Sequence, residues 1–199
     1  SGKYDINKVA LIITQTGGGC RASNYIYLLR KALKKAGLEQ VPVISVNMSG
    51  LESASGFKLT LPLVRQIVAS LVYGDCIMCV SNQTRPYEFN EGETDALIEK
   101  WNDALIEQFN RGKGLSNKDM RKNLAAIVDD FDAIERSHER KTRVGVVGEI
   151  YVKYSSLGNN GLEKFLRTQD CEYMLPGIMG FVLFKIDNRI EDHHLYGGS

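Results

Sequence analysis

With 199 residues, 43% of them hydrophobic, the chain can bury a core as one large or two small domains. Lys+Arg 25 against Asp+Glu 24 leaves a formal charge of +1, which excludes a general attraction for nucleic acid or anionic lipid. No stretch approaches the roughly 18 uninterrupted apolar residues that span a bilayer, and the N-terminus lacks a signal-peptide layout, so a soluble cytoplasmic protein with no membrane partner is expected.

The predicted elements begin with VALIIT, 9–14, a continuous apolar run of the kind a parallel sheet buries on both faces. TGGGCR, 16–21, then leads into Ser23–Ala36, where apolar residues recur at helical spacing and Gly37 follows Lys34 and Lys35 as a stop. VPVISVN, 41–47, supplies the next strand, so residues 1–60 read as a β-glycine loop-α-β unit with a right-handed crossover. A helical insertion over 61–140 follows. Its helices are expected from Leu61 to about Cys79, from Thr94 to Asn110 and from Ser116 to Glu139. CIMCV, 76–80, also suits a short strand, although helix is preferred; RGKG breaks the second helix and Ser116 with Asp119 forms a cap.

Residues 141–199 read as a second β-loop-α-β unit of the same domain. It comprises a strand at RVGVVGE, 143–149, a helix capped by Asn160 with Glu163 as its reciprocal partner, and strands at 171–175 and 181–186. The expected architecture is α/β, an open, mostly parallel Rossmann-like sheet carrying a helical insertion. SGKYD resembles a cloning scar and LYGGS closes on no element, so the chain reads as a segment of a longer protein.

Ligands of open parallel sheets sit beyond the carboxyl ends of the strands, where the glycine loop is expected. Gly17, Gly18 and Gly19 carry no side chain to hold a ligand off the backbone, and a helix start offers unpaired N–H groups to an anion. The alternative is a tight turn with close strand-to-helix packing. Gly17, Gly19 and Ala22 satisfy G-x-G-x-x-A, but Asn47 stands where a dinucleotide site needs a ribose-binding acid, and no phosphate-binding loop of the GxxxxGK[ST] type occurs.

Cys20 at the predicted helix start, with Arg21 beside it, has a setting that favours thiolate, the form that binds metal or attacks an electrophile. Cys76 and Cys79 form C-x-x-C among apolar neighbours, which suits packing as well as ligation. Cys171 opens its predicted strand, roughly 16 Å from the pole of the glycine loop at about 3.3 Å per residue, so a single four-cysteine site is not expected. His138, His193 and His194 read as surface residues, and no Ser/His/Asp set or HExxH pattern supports hydrolysis. Glu149, ending a predicted strand, is an acid/base candidate or a helix cap. Arg85 in TRPYE is a candidate clamp for phosphate or carboxylate, or marks the helix stop before Pro86.

The ordered series TGGGCRASNYIYLLRKALKKAG, VPVISVN, Gly74-Asp75, TRPYE, RVGVVGEIYVKYSSLGNNGLEKFL and LYGGS resembles the large activase-like proteins related to 2-hydroxyacyl-CoA dehydratases (the 2-hydroxyglutaryl-CoA dehydratase activator family). The resemblance covers essentially the whole chain and points to the dehydratase-like segment rather than the ATP-binding part. It implies anaerobic radical chemistry, in which an ATP-dependent activase passes one low-potential electron to a component bearing a 4Fe-4S cluster that dehydrates a 2-hydroxyacyl-CoA. It also implies activase domains, in the same or a partner chain, and an acyl-CoA substrate as partners. Cys20 in TGGGCR is the position that matches a family motif and is inferred as a cluster ligand, with Gly17, Gly18, Gly19 and Arg21 around the cofactor. A three-cysteine set is not visible, so an isolated segment is expected to be catalytically silent.

Overall fold

A computed structural model of the protein describes residues 4–15, 22–46 and 60–197. The chain is α/β and divides into two compact units, 1–60 and 61–199.

In the first unit, β1 (Leu11–Thr14) pairs in parallel with β2 (Val43–Val46), Leu11 opposite Val43 and Thr14 opposite Val46. The intervening α1 (Ala22–Lys35) buries Ile26, and two lysines in its last turn face the negative end of the helix dipole. Gly37, at φ +69°, ends it in the left-handed conformation that suits glycine. The strand at 9–14 was expected to be buried on both faces. Instead Leu11 and Ile13 are half-buried while Ile12 is 59% exposed, the alternation of a strand covered on one face.

The second unit is organised on α2 (Leu61–Thr84), which runs through CIMCV as helix. Ala69, Tyr73, Ile77 and Ser81 recur every fourth residue, and all four are buried. This stripe meets α3 (Glu93–Asn110) and α4 (Asn117–Asp132) through Trp101, Leu105, Ile127 and Phe131. Full burial of such a side chain stabilises by about 1.5–3 kcal/mol, so this cluster is the main adhesive of the unit. Its polar groups are satisfied across the helices: Tyr73 donates to the Gly114 carbonyl (2.8 Å) and accepts from Asn123 Nδ2 (3.0 Å), while Trp101 Nε1 donates to Asp130 (3.1 Å). The predicted Ser116 cap is present, its Oγ accepting from the Asp119 N–H (3.1 Å). The fourth helix stops at Asp132 rather than Glu139, because beyond it the chain is extended and bridges Arg136 to Glu88.

Leu61–Tyr87 is long and apolar enough to cross a membrane by length and composition alone. Only 17% of its apolar window is buried within the protein, Tyr73, Ile77 and Ser81 being among the buried residues of the helix.

A smaller cluster of Val146, Leu166, Tyr173 and Leu175, joined by Met78 of α2, lies on the second parallel pair. There β3 (Arg143–Gly145) runs beside β4 (Glu172–Met174), Val144 opposite Tyr173. Between them lie α5 (Ile150–Tyr154) and α6 (Leu162–Thr168). The strand expected over 143–149 is only three residues long; Gly148 at φ +141° turns the chain, and Glu149 already caps α5. Asn160 is not the cap of the next helix. It sits at φ 56°, the N-cap position belongs to Gly161, and Asn159 Oδ1 accepts from the Leu162 N–H (3.1 Å). Glu163 accepts from the Tyr173 hydroxyl (3.2 Å) instead of closing a capping box.

Residues 181–186, expected as a strand, lie inside α7 (Ile178–Tyr196), which also absorbs the Leu-Tyr of LYGGS. The cause is a cap that comes from far along the chain: Asp75 in α2 accepts from the N–H groups of Ile178 (2.9 Å) and Met179 (2.7 Å). A helix nucleated there overrides the strand preference of FVLFKI. Gly177 makes the approach possible, since a Cβ at that position would lie 2.5 Å from Asp75 Oδ2. The described strands thus form two separate two-stranded parallel sheets.

Asp75→Ala lowers unfolding free energy by about 1–3 kcal/mol and Gly177→Ala by about 1 kcal/mol, both in urea titrations, because each removes the charge-assisted cap of α7; unchanged midpoints for both variants would contradict it. Burial holds Tyr73, Tyr154 and Tyr173 above the ordinary tyrosine value of 10.0 and Cys76 above the ordinary thiol value of 9.0. The fold therefore favours the protonated forms, a contribution complete below those ordinary values and lost as pH rises through the raised ones. The urea midpoint should fall between pH 8 and about pH 10.5, and a constant midpoint over that span would refute the assignment.

Candidate functional site

At the carboxyl end of the first parallel pair, Gln15 ties three elements together. Its Nε2 donates to the Ser23 carbonyl in the first turn of α1 (3.1 Å), and its Oε1 accepts from Ser45 Oγ of β2 (2.8 Å). Ser45 is 2% exposed, so this amide bridge is shielded from water on one side. It fixes the end of the first strand relative to the first helical turn. Neither Gln15 nor Ser45 was expected to matter; the signal was a hydroxyl inside the otherwise apolar VPVISV run and a polar residue ending VALIIT. The candidate residues Gly17, Gly18, Gly19, Cys20 and Arg21, which connect Gln15 to Ala22, lie outside the described residues.

The corresponding end of the second parallel pair differs chemically. Glu149 is the N-cap of α5 and accepts from the Tyr151 N–H (3.0 Å), so its carboxylate occupies the place an incoming anion would need. The helix-cap alternative is thus the one observed.

Arg85 begins a 3-10 turn, Arg85–Tyr87, and its side chain is 12% exposed. Nε and Nη2 both donate to Asp95 Oδ1 (3.0 and 2.6 Å), and Nη1 donates to Asn82 Oδ1 (3.3 Å). A clamp on an external carboxylate or phosphate would have to displace Asp95. Arg85 also lines a cavity of about 320 Å³ together with Glu88, Asp95, Arg167 and Tyr173. Glu88 is committed to the backbone there, accepting from Gly92 (2.9 Å) and Thr94 (2.7 Å) at the start of α3. The buried Asn82 Nδ2 and Thr94 Oγ1 have no hydrogen-bond partner beside this network. The cavity is therefore a fixed charge network that holds the turn after α2.

The described cysteines stay apart in role. Cys76 is half-buried against the main core, and burial, with Cys79 adding to it, pushes its thiol up. Cys79 is exposed and accepts from Gln83 Nε2 (3.2 Å). Cys171 is buried and donates to the Gln169 carbonyl (3.4 Å). Among the described residues no group of three or more His, Cys, Asp or Glu side chains is placed to hold a metal. These three cysteines thus assemble no cluster donor set: Cys76 is half-buried in the core, Cys171 is buried and donates to a carbonyl, and Cys79 alone is exposed. His138, His193 and His194 are all exposed.

These environments predict an order of reactivity. Under limiting alkylation of the folded protein, read by peptide mass spectrometry, Cys79 should be modified about tenfold or more faster than Cys76 and Cys171. Equal rates, or Cys76 reacting first, would contradict the burial described.

Comparison with family models, with curated proteins and with solved structures gave no match to this chain.

Proposed function

We propose that the chain is a dehydratase-like segment of a CoA-substrate-specific enzyme activase, contributing to an iron-sulfur-dependent system for electron transfer and 2-hydroxyacyl-CoA dehydration. The observation that carries the reading is the parallel β1-α1-β2 unit, in which TGGGCR connects the carboxyl end of a strand to the start of a helix. That junction is where open α/β folds place ligands, and three successive glycines allow backbone N–H groups to meet an anionic group directly. The Gln15 bridge supports the same reading, because it holds the two ends of the junction in a fixed relation. The chain's own part is to bind and orient, with Gly17, Gly18, Gly19 and Arg21 around the ligand. Cys20 is the metal-facing side chain in this proposal. Since the described cysteines do not fit a cluster, any further ligands come from other parts of the same protein or from its partner, and no reaction step is assigned to this segment alone. Cytoplasmic location and activase domains as partners belong to the same proposal.

A second reading, a non-redox module that binds a phosphate-containing ligand or a protein, is favoured by the lack of a three-residue metal-holding group among the described residues, where Cys76 is half-buried and Cys171 is buried. The two separate on one experiment. The full-length protein is reconstituted anaerobically with iron and sulfide, and wild type is compared with Cys20→Ala by bound iron, visible absorbance and the spin signal of the reduced state. The dehydratase-like reading predicts loss of the spin signal and a clear fall in bound iron in the variant. Identical spectra in both proteins would remove Cys20 from the ligand set, and thioester binding without any cluster would favour the second reading.

A further inference from the structure

We propose that the segment Ser137–Arg143 is a phosphate-binding strap, in which Arg140, Lys141 and Arg143 hold the terminal phosphate or diphosphate of a small molecule against Tyr87. The inference concerns the second unit only and does not rest on the glycine junction.

The sequence RSHERKTR, 136–143, concentrates three arginines and a lysine against one acid in a chain whose formal charge is only +1. Such a run is ordinarily a solvated, mobile loop, but this one is held at both ends. At its start Ser137 N–H donates to the Tyr87 carbonyl (2.8 Å), and Phe89 N–H donates to the Glu135 carbonyl (3.2 Å). At its end the Thr142 carbonyl accepts from the Glu172 N–H (3.0 Å), where β3 joins β4. Ile134, just before it, is part of the main core. Both anchors are backbone hydrogen bonds, so the cationic side chains are presented from a frame already ordered before any ligand arrives.

Between the anchors, Tyr87, Arg140, Lys141 and Arg143 line a cavity of about 240 Å³, with no carboxylate in its wall. Lys141 pairs with Asp170 and lies 5.7 Å from the Tyr87 ring centroid. Arg143 donates through Nε to Glu172 Oε2 (3.0 Å), the oxygen that also accepts from the Tyr87 hydroxyl (2.6 Å). Those acids neutralise two of the cations from outside the cavity. Arg140 has no acidic partner among the described residues. With Lys141 and Arg143 already paired, Arg140 supplies the uncompensated positive charge that an entering anion meets. A phosphate oxygen set matches the planar fork of a guanidinium, and a lysine adds a compact charge.

An adjoining cavity of about 340 Å³ shares Tyr87, Arg140 and Arg143 and adds Gln83, Ser137 and His138, together with Glu139 and Glu172. Its amide, hydroxyl and imidazole suit the uncharged polar part of the ligand. Its two carboxylates oppose a second anionic group, which selects a molecule charged at one end over a continuous polyanion such as RNA.

The test uses the full 199-residue chain. Pyrophosphate and inorganic phosphate are titrated separately against wild type, with arginine Nε–Hε shifts and calorimetry as readouts, and a short oligouridylate serves as the polyanion. Pyrophosphate should move the Arg140 signal and bind more tightly than phosphate. Arg140→Ala should weaken that binding about tenfold or more, Arg140→Lys should fall between it and wild type, and Arg111→Ala, on a helix end, should bind like wild type. Because Arg140 is exposed, its replacement leaves the core intact, which far-ultraviolet circular dichroism verifies. The proposal is overturned if millimolar pyrophosphate leaves the Arg140 signal in place, if folded Arg140→Ala binds like wild type, or if oligouridylate binds while pyrophosphate does not.

Discussion

The second unit depends on one helix being buried from two directions at once. Ala69, Tyr73 and Ile77 of α2 are closed over by α3 and α4, while Met78 reaches the cluster under the second parallel pair and Asp75 caps α7. Taking these contacts away would uncover the apolar faces of the neighbouring elements, and the three-residue strands β3 and β4 are too short to be stable alone. The helix continues directly into the turn at Arg85–Tyr87, and that turn carries the Arg85–Asp95 pair and Tyr87. Packing in the centre of the unit thereby sets the position of the charged groups at its edge.

The two parallel pairs show how the same β-α-β arrangement takes different chemistry at its carboxyl end. In the first, Gln15 and Ser45 satisfy one another and the helix backbone with neutral groups, and the connecting residues are glycines, a cysteine and an arginine. In the second, the Glu149 carboxylate takes up the first helical turn. A negative side chain at that position competes with any anion, whereas the first junction has no acid within it. The first junction is therefore the place proposed for the dehydratase-like role. The cationic strap is a separate feature of the other unit.

Elements whose cause is local could be read from the residues. The apolar period of Ser23–Ala36, the Ser116 cap and the preference for helix through CIMCV all correspond to observed helices, because side chains within one or two turns decide them. The first parallel pair was legible for a similar reason, two short apolar runs separated by one helix. What was not legible was decided at a distance. Residues 181–186 have the composition of a strand, yet Asp75, 103 positions before Ile178, starts a helix there. The extended path after Asp132 comes from pairing with the segment after Pro86, and the described strands form two parallel pairs. At the candidate site, Gly17 to Arg21 fall outside the described residues. Arg85 was read as a clamp or as the helix stop before Pro86; the stop is observed, with α2 ending at Thr84, while its ion-pair partner Asp95 lay ten residues on in the following helix. Gln15 and Ser45 escaped notice because their link joins residues 30 apart.

The claim that α2 is the support of the whole second unit is tested most directly by native-state hydrogen exchange resolved by residue. The account predicts that the amides of Tyr73 and Ile77 exchange only through global unfolding, together with those of β4, while the last turns of α7 exchange sooner. Early exchange at Tyr73 and Ile77, with α3 and α4 still protected, would contradict it.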